Sequence, residues 1–338
     1  MTSYGSIAAF EAALSDLPAP DWVAEAAARA RQAQLTKPAG SLGRLEDVAI
    51  FLAGWQRRER PRMDRARAAV FAGNHGVTVH GVSAFPTGVT AQMVANFRAG
   101  GAAINALSGA AGLDLKVVAL DLDRPTADFS AVAAMTAAEC LDALNAGAAV
   151  VEEGLDLLVL GEMGIGNSTS AAAICARSFG SAAETWVGPG TGVDDAGISR
   201  KIDVIDRAIA RHASAPRSAF ETLRLVGGRE IAAIAGAVLR ARQLSVPVLL
   251  DGFICCSAIA PLAVERPTIT AHCLAGHCSA EPGHARLLEQ LDLAPLLSLG
   301  MRLGEGSGAA VAAAVVRAAL AAHDQMATFA QAAVSGST

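Results

Sequence analysis

Leu158-Val159-Leu160-Gly161-Glu162-Met163-Gly164-Ile165-Gly166-Asn167-Ser168-Thr169-Ser170 decides how this chain folds. The apolar run ahead of the glycines has the character of a buried parallel strand. Gly164 and Gly166 follow at i and i+2, then hydroxyl side chains and an Ala-rich helical run. A strand, a tight glycine turn and a helix N-terminus let backbone N–H groups face an anion, and the helix dipole favours negative charge there. No Lys follows the glycines, so this is not a P-loop. The third glycine of the dinucleotide fingerprint is also missing. A single phosphate, as on a mononucleotide, fits better than a pyrophosphate. Such a turn can equally serve packing alone. Glu162 argues for a site, because a carboxylate at the C-terminal end of a strand sits where open α/β sheets bind ligands.

Working outward, apolar strands are expected over 67–73, 115–122, 155–160, 246–250 and 268–275. Helical runs are expected over 7–14, 21–34, 44–59, 90–107, 136–153, 170–179, 220–242 and 309–323. Strands alternating with helices predict an α/β fold: a parallel, doubly wound sheet with helices on both faces. No fixed-period repeat appears.

The chain has 338 residues, 52% of them hydrophobic, ample for a large core and for one large domain or two. A formal net charge of −5 gives no basic footprint, so no nucleic acid partner is expected. The first ten residues lack a basic n-region and an apolar h-region, so no secretory signal is expected. The longest apolar run, 246–264, carries Asp251 and two prolines, and is expected to be a strand plus a buried helix rather than a membrane span. Six cysteines fit a reducing cytoplasm better than a disulfide scaffold. His272, Cys273, His277, Cys278 and His284 invite a zinc reading, but structural zinc sites usually pair CxxC-like knuckles. This run leaves an apolar strand, which suggests a site-lining loop, and no metal is expected.

Further polar loops punctuate the chain. Residues 36–46 hold Lys37, Ser41 and Arg44 around Pro38 and two glycines, either an inter-helix linker or an anion contact. The first strand ends in Ala72-Gly73-Asn74-His75-Gly76-Val77, where His75 is either a ligand contact or a satisfied structural histidine. A second Gly-rich loop, Gly188 to Gly192, precedes Asp194 and Asp195, which fit a helix start with Lys201 two turns on. Lys201 is either a solvated helix charge or a phosphate ligand. Glu305 stands between Gly304 and Gly306 just ahead of a helix, where an acidic cap is common. Flanking glycines also allow close approach by a ligand.

Together these loops resemble the nicotinate-nucleotide:dimethylbenzimidazole phosphoribosyltransferase family of cobalamin biosynthesis. The resemblance rests on KPAGSLGRLE (37–46), AGNHGV (72–77), GVSAFPTGVTAQMVANFRAGGAAIN (81–105), GEMGIGNST (161–169), GPGTGVDDAG (188–197), DGF (251–253), HCSAEPGH (277–284) and LGEGSGAA (303–310). These span nearly the whole chain in the family's order. Asn74 stands where the usual GDHGV has Asp, and Ser168 replaces a Thr.

The resemblance implies a reaction in which nicotinate mononucleotide and a benzimidazole base give α-ribazole 5′-phosphate and nicotinate, the glycosidic bond inverting from β to α. It implies a Rossmann-like large domain over 61–300, a small helical domain from 1–60 plus 300–338, a homodimer and no cofactor. It places Glu162 and Glu305 at the reacting end, with Glu305 as general base. The loops agree with it. Gly164, Gly166, Asn167, Gly190, Thr191, Gly192, Lys201 and Ser279 suit the 5′-phosphate and nucleotide. Ser83, Phe85, Pro86, Gln92, Met93 and Leu303 suit a clamp on a flat base, Gln92 near its ring nitrogens. Two alternatives stay open. A nicotinamide-dependent oxidoreductase would need a pyrophosphate loop early in the chain and an acid about twenty residues later. A non-catalytic nucleotide-binding protein would explain the glycine loops but not two Glu residues in matching loops.

Overall fold

The computed structural model describes residues 4–335. In chain order the helices and strands are α1 (Ile7–Ser15), α2 (Trp22–Gln34), α3 (Arg44–Gln56), β1 (Ala66–Ala72), α4 (Gly88–Ala99), α5 (Ala103–Ala111) and β2 (Asp114–Ala119). They continue with α6 (Ala137–Ala148), β3 (Leu157–Met163), α7 (Asn167–Phe179), α8 (Asp195–Arg211), α9 (Ala219–Val226) and α10 (Arg229–Gln243). The last are β4 (Val248–Leu250), α11 (Phe253–Glu265), β5 (Cys273–His277), α12 (Pro282–Gln290), β6 (Pro295–Leu297), α13 (Ser307–Gln325) and α14 (Phe329–Ala332).

The strands form one six-stranded sheet in the order β2-β1-β3-β4-β5-β6, every pair parallel. Strand order reverses between β1 and β3, which opens a crevice at the C-terminal edge. Side chains alternate between two cores, as the pleat requires. Phe71, Leu158, Leu160, Val248 and Leu250 face a core covered by α6, α7, α10 and α11. Val70, Leu157, Val159 and Leu249 face the opposite core, covered by α3, α4, α5 and α13. Strands buried on both faces read as unbroken apolar runs, which is how 155–160 reads.

The chain ends reach both faces. Phe10 and Leu14 of α1 join the first core. Arg31 of α2 donates to the carbonyls of His323 (2.8 Å) and Asp324 (2.8 Å), tying α2 to the end of α13. An antiparallel bridge joins Leu35 to Thr328. On the other face α6 and α10 cross at backbone contact. A Cβ on Gly147 would lie 1.7 Å from the Ala233 carbonyl oxygen, and one on Gly236 would lie 2.0 Å from that of Leu144.

Three expectations need correction, and one strand was not foreseen. The helix over 90–107 is two helices, because Gly100 turns left-handed (φ +82°) and caps α4, and α5 starts afresh at Ala103. The helix over 220–242 breaks at Gly227-Gly228, where a Cβ on Gly228 would meet the His75 ring at 2.2 Å. The strand over 268–275 starts late: Pro267–His272 is a 3₁₀ turn and pairing begins at Cys273. Pro267 fixes φ and opens that turn, which apolarity alone does not reveal. The edge strand β6 is three half-buried residues led by a proline, too short to show a period.

Candidate active site

A cleft opens at the C-terminal edge of the sheet, among the loops that follow β3, β4 and β5 and the turn that precedes α13. Its two ends differ in charge.

One end is built on the glycine turn after β3. Gly166 is left-handed (φ +94°) and starts α7, so Ser168 on the first turn lines the cleft. Facing it are Gly190 and Thr191 of the second Gly-rich loop. Asp194 caps α8 by accepting from the Gly197 N–H (2.8 Å), and that helix carries Lys201 inward. Lys201 Nζ donates to Ser168 Oγ (3.0 Å) and to the Gly188 carbonyl (2.9 Å), so it pins the two glycine loops together. Burial lowers its pKa and the Glu281 carboxylate opposes that. Arg302 lines the cleft and donates to the Gly190 carbonyl at 3.4 Å. Glu281 is raised by burial, against the pull of Lys201, the Gly190 backbone and Arg302. Ser279 also lines this wall. Its N–H and its hydroxyl both sit 2.9 Å from Nδ1 of the buried His284, which burial pushes down to about 3, with nearby His277 adding to the fall.

The other end is acidic. Glu162 closes β3, is buried, and accepts from the Asn167 side-chain amide. Burial, then the charges of Glu230 and Asp251, push its pKa up to about 8; Asn167 opposes this and Glu305 adds to it. Glu305 sits in a left-handed turn (φ +62°), and its N–H donates to the Glu162 carbonyl at 3.2 Å. Its carboxylate accepts from the Ile104 N–H (3.3 Å) in the first turn of α5. Burial raises the Glu305 pKa, the Ile104 contact opposes, and Asp251 adds. The two loops interlock because neither carries a side chain at the crossing. A Cβ on Gly304 would lie 2.6 Å from Glu162 Oε1, and one on Gly161 would lie 2.5 Å from the Glu305 carbonyl oxygen.

Asp251, at the end of β4, holds the turn in place. Its carboxylate accepts from the N–H groups of Gly306 (3.1 Å) and Ala309 (2.9 Å), capping α13, whose own N-cap Gly306 has no side chain to do so. His277 Nε2 lies 3.5 Å from the same carboxylate.

The phosphoribosyltransferase family profile matches residues 17–334. The nicotinate-nucleotide–dimethylbenzimidazole phosphoribosyltransferase of Novosphingobium aromaticivorans is 70% identical over 335 residues, covering 99% of each chain. The enzyme of that name from Mesorhizobium japonicum is 56% identical, over 98% of this chain and 99% of its own. This chain belongs to the nicotinate-nucleotide–dimethylbenzimidazole phosphoribosyltransferase family. The crystal structure of CobT from Thermus thermophilus superposes with a TM-score of 0.86 at 40% identity, over 93% of this chain and 100% of that one.

Within this family fold, Glu162, Gly164, Asn167, Gly190, Thr191, Ser279 and Leu303 all line the cleft. Gly166, Gly192 and Lys201 belong to the turns and the helix that frame it. Glu305 is one residue beyond the lining Gly304. Ser83, Phe85, Pro86, Gln92 and Met93 lie on the loop before α4 and on its first turns, outside the cleft wall. Phe85 and Gln92 are exposed, and Met93 packs half-buried against the second core. Their link to the site is Thr90, whose hydroxyl accepts the Ile165 N–H at 3.2 Å.

Sequence reasoning missed Arg302, Asp251 and Glu281 as parts of the site, while His277 lies on the loop it expected to line one. Asp251 carried the same signal as Glu162, an acid at the end of an apolar strand. The His75 ring is fully buried between Glu230 and Ser170. Asn74 donates to the Leu122 carbonyl at 2.9 Å. The His272 ring nitrogens each lie 3.0 Å from a backbone carbonyl, those of Ile269 and Val238, and burial, aided by Arg242, pushes its pKa down to about 3. Among the described residues no helix is long and apolar enough to cross a membrane.

Proposed function

We propose that this chain transfers the phosphoribosyl group of nicotinate mononucleotide to 5,6-dimethylbenzimidazole or a related base, giving α-ribazole 5′-phosphate and nicotinate. One observation carries this: a single cleft has a cationic, Gly-rich end at Lys201, Arg302 and Ser168, and a buried pair of acids, Glu162 and Glu305, at the other. The first end suits a 5′-phosphate, with the α7 N-terminus adding its dipole. The second suits the ribose C1′ and the incoming ring.

A benzimidazole nitrogen attacks C1′ from the α face. The C1′–N bond to nicotinate breaks, and its electron pair neutralises the pyridinium nitrogen, so no acid is needed for departure. The opposite N–H of the benzimidazole turns acidic as the new bond forms, and the Glu305 carboxylate takes that proton. Glu162, held largely protonated at neutral pH, offers an O–H donor beside that acceptor. Two acids whose surroundings separate their roles are the usual way one site holds both functions. The base lies on the side of Leu303 and the 83–93 segment, where Ser83, Phe85, Pro86, Gln92 and Met93 are its clamp. A homodimer working in the cytoplasm is part of this proposal. So is a division into a small helical domain, from the two chain ends, and a large α/β domain. The Arg31 contacts that join α2 to α13 support that division.

The test is incubation with nicotinate mononucleotide and a panel of bases, with products identified by mass. Nicotinate release matched by an α-riboside phosphate is expected. Absence of nicotinate would sink the proposal. Glu305→Gln should lose about 10²–10⁴-fold in turnover while still binding both substrates. Near wild-type turnover in that variant, with loss in Glu162→Gln, would move the base to Glu162.

A further inference from the structure

Behind the acidic end of the cleft lies a second polar cluster that the reaction as derived does not use. Glu230 sits in the first turn of α10 and is fully buried, as is His75. Glu230 Oε1 is 2.5 Å from His75 Nε2, and His75 Nδ1 is 3.0 Å from the hydroxyl of Ser170 on α7. The other oxygen, Oε2, has no hydrogen-bond partner among the described residues. A His–Glu pair kept only for stability would have both carboxylate oxygens satisfied, since an unpaired buried acceptor is costly.

Three glycines make room for this carboxylate. A Cβ on Gly73 would lie 2.4 Å from Oε2, and one on Gly228 would lie 2.9 Å from it. A Cβ on Gly164 would lie 3.0 Å from Oε1 and 3.1 Å from the Asn167 amide nitrogen, the group that binds Glu162. Bare glycine backbone is therefore what stands between Glu230 and the Asn167–Glu162 pair. In a buried setting one carboxylate acts strongly on another close by.

We propose that Glu230 is a positioning residue that acts through Glu162: fixed by His75 and Ser170 in its glycine cradle, its charge keeps the catalytic Glu162 in the acid form. This rests on the reaction proposed above. Groups facing Glu162 from the packed elements are Asn167 on α7, Glu230 on α10, Asp251 on β4, with His277 beside it, and Glu305 before α13. The acids among them all disfavour a second negative charge, and burial acts in the same direction. Lys201 and Arg302 gather instead around Gly190 and Glu281 at the far end. Glu230 differs from Asp251 and Glu305 in making no backbone cap, so its removal changes charge without releasing a turn.

The experiment is the pH profile of kcat for the wild type and Glu230→Gln. Loss of the Glu162 proton should set the alkaline limb, near pH 8 in the wild type. In Glu230→Gln that limb should move down by on the order of one pH unit, with the acid limb and the nucleotide KM unchanged. A folded variant whose alkaline limb stays put overturns the proposal. Should Glu230→Gln fail to fold, infrared spectra of wild type and Glu162→Gln at pH 7 decide it. A protonated-carboxyl band is expected in the wild type and absent from Glu162→Gln. Its persistence in Glu162→Gln would put the proton elsewhere and overturn the proposal. If no base yields an α-riboside phosphate, the reaction itself fails, while the infrared result still reports on the pair.

Discussion

Asp251→Ala should loosen the Glu305 turn and the first turn of α13 together. The Asp251 carboxylate accepts from two backbone N–H groups, those of Gly306 and Ala309. Hydrogen bonds to a charged group contribute about 1.5–3 kcal/mol each, and loss of an N-cap alone costs about 0.5–2 kcal/mol. Removing the charge also relieves Glu162 and Glu305, both of which it raises. After that offset we expect a net loss of about 2–4 kcal/mol. Unfolding entropy near 2.1 cal/mol/K per residue makes each kcal/mol worth about 1.4 °C in a chain of this size, so Tm should fall by about 3–6 °C. Asp251→Asn keeps one acceptor and should fall by about half as much. Because Glu305 immediately precedes the anchored Gly306, kcat should drop about tenfold or more, with nucleotide KM nearly constant. Calorimetry and steady-state kinetics on the same preparations measure both. An unchanged Tm, or a loss confined to nucleotide KM, would refute this account of the cap.

Lys201→Ala should weaken nucleotide binding by about ten- to a hundredfold and leave base binding nearly unchanged, which titration calorimetry with each substrate resolves. Unaltered nucleotide affinity would leave Lys201 as a brace between the Ser168 and Gly188 loops. Glu162→Gln should raise stability at pH 8 and not at pH 4. The folded pKa of Glu162 lies above its unfolded value, so the wild type loses stability as pH rises from about 4.5 towards 8. Melting curves of both proteins across that range should diverge steadily, and parallel curves would contradict a protonated Glu162. Turnover should survive exhaustive chelation, since the His272 and His284 ring nitrogens are taken up by Ile269, Val238, Ser279 and Cys256; activity lost to chelator and restored by zinc or magnesium would reverse this.

The central strands β1, β3 and β4 were legible because they are buried on both faces and followed by glycine turns. The stretch 158–170 alone showed strand, turn, helix and acid, and the two Gly-rich loops do meet across the cleft. What hid was set by distant partners. Nothing local announces that Asp251 caps a helix more than fifty residues away, or that Glu230 in an Ala-rich helix faces His75. The breaks at Gly100-Gly101 and Gly227-Gly228 carried visible glycine pairs, but a helix tolerates glycine at modest cost; Gly100 takes a left-handed local cap, and Gly228 lies against the His75 ring. The 83–93 segment has the side chains of a base clamp, yet Phe85 and Gln92 are exposed, Gln92 because α4 turns Val94 and Phe97 to the sheet.

The crossing of α6 and α10 has a kinetic consequence. Gly147 and Gly236 bring two helix backbones together, and β3, α7, α8 and α9 intervene in the chain between them. That intervening length must be closed before the notches can engage, at an entropic cost that grows with loop length. The contact is worthless until both helices already lie on the sheet, so it belongs late on the folding path. Interactions absent from the transition state act on the unfolding rate alone. The paired notches thus work as a latch: they do little to hasten assembly and set how long the finished sheet keeps its cover.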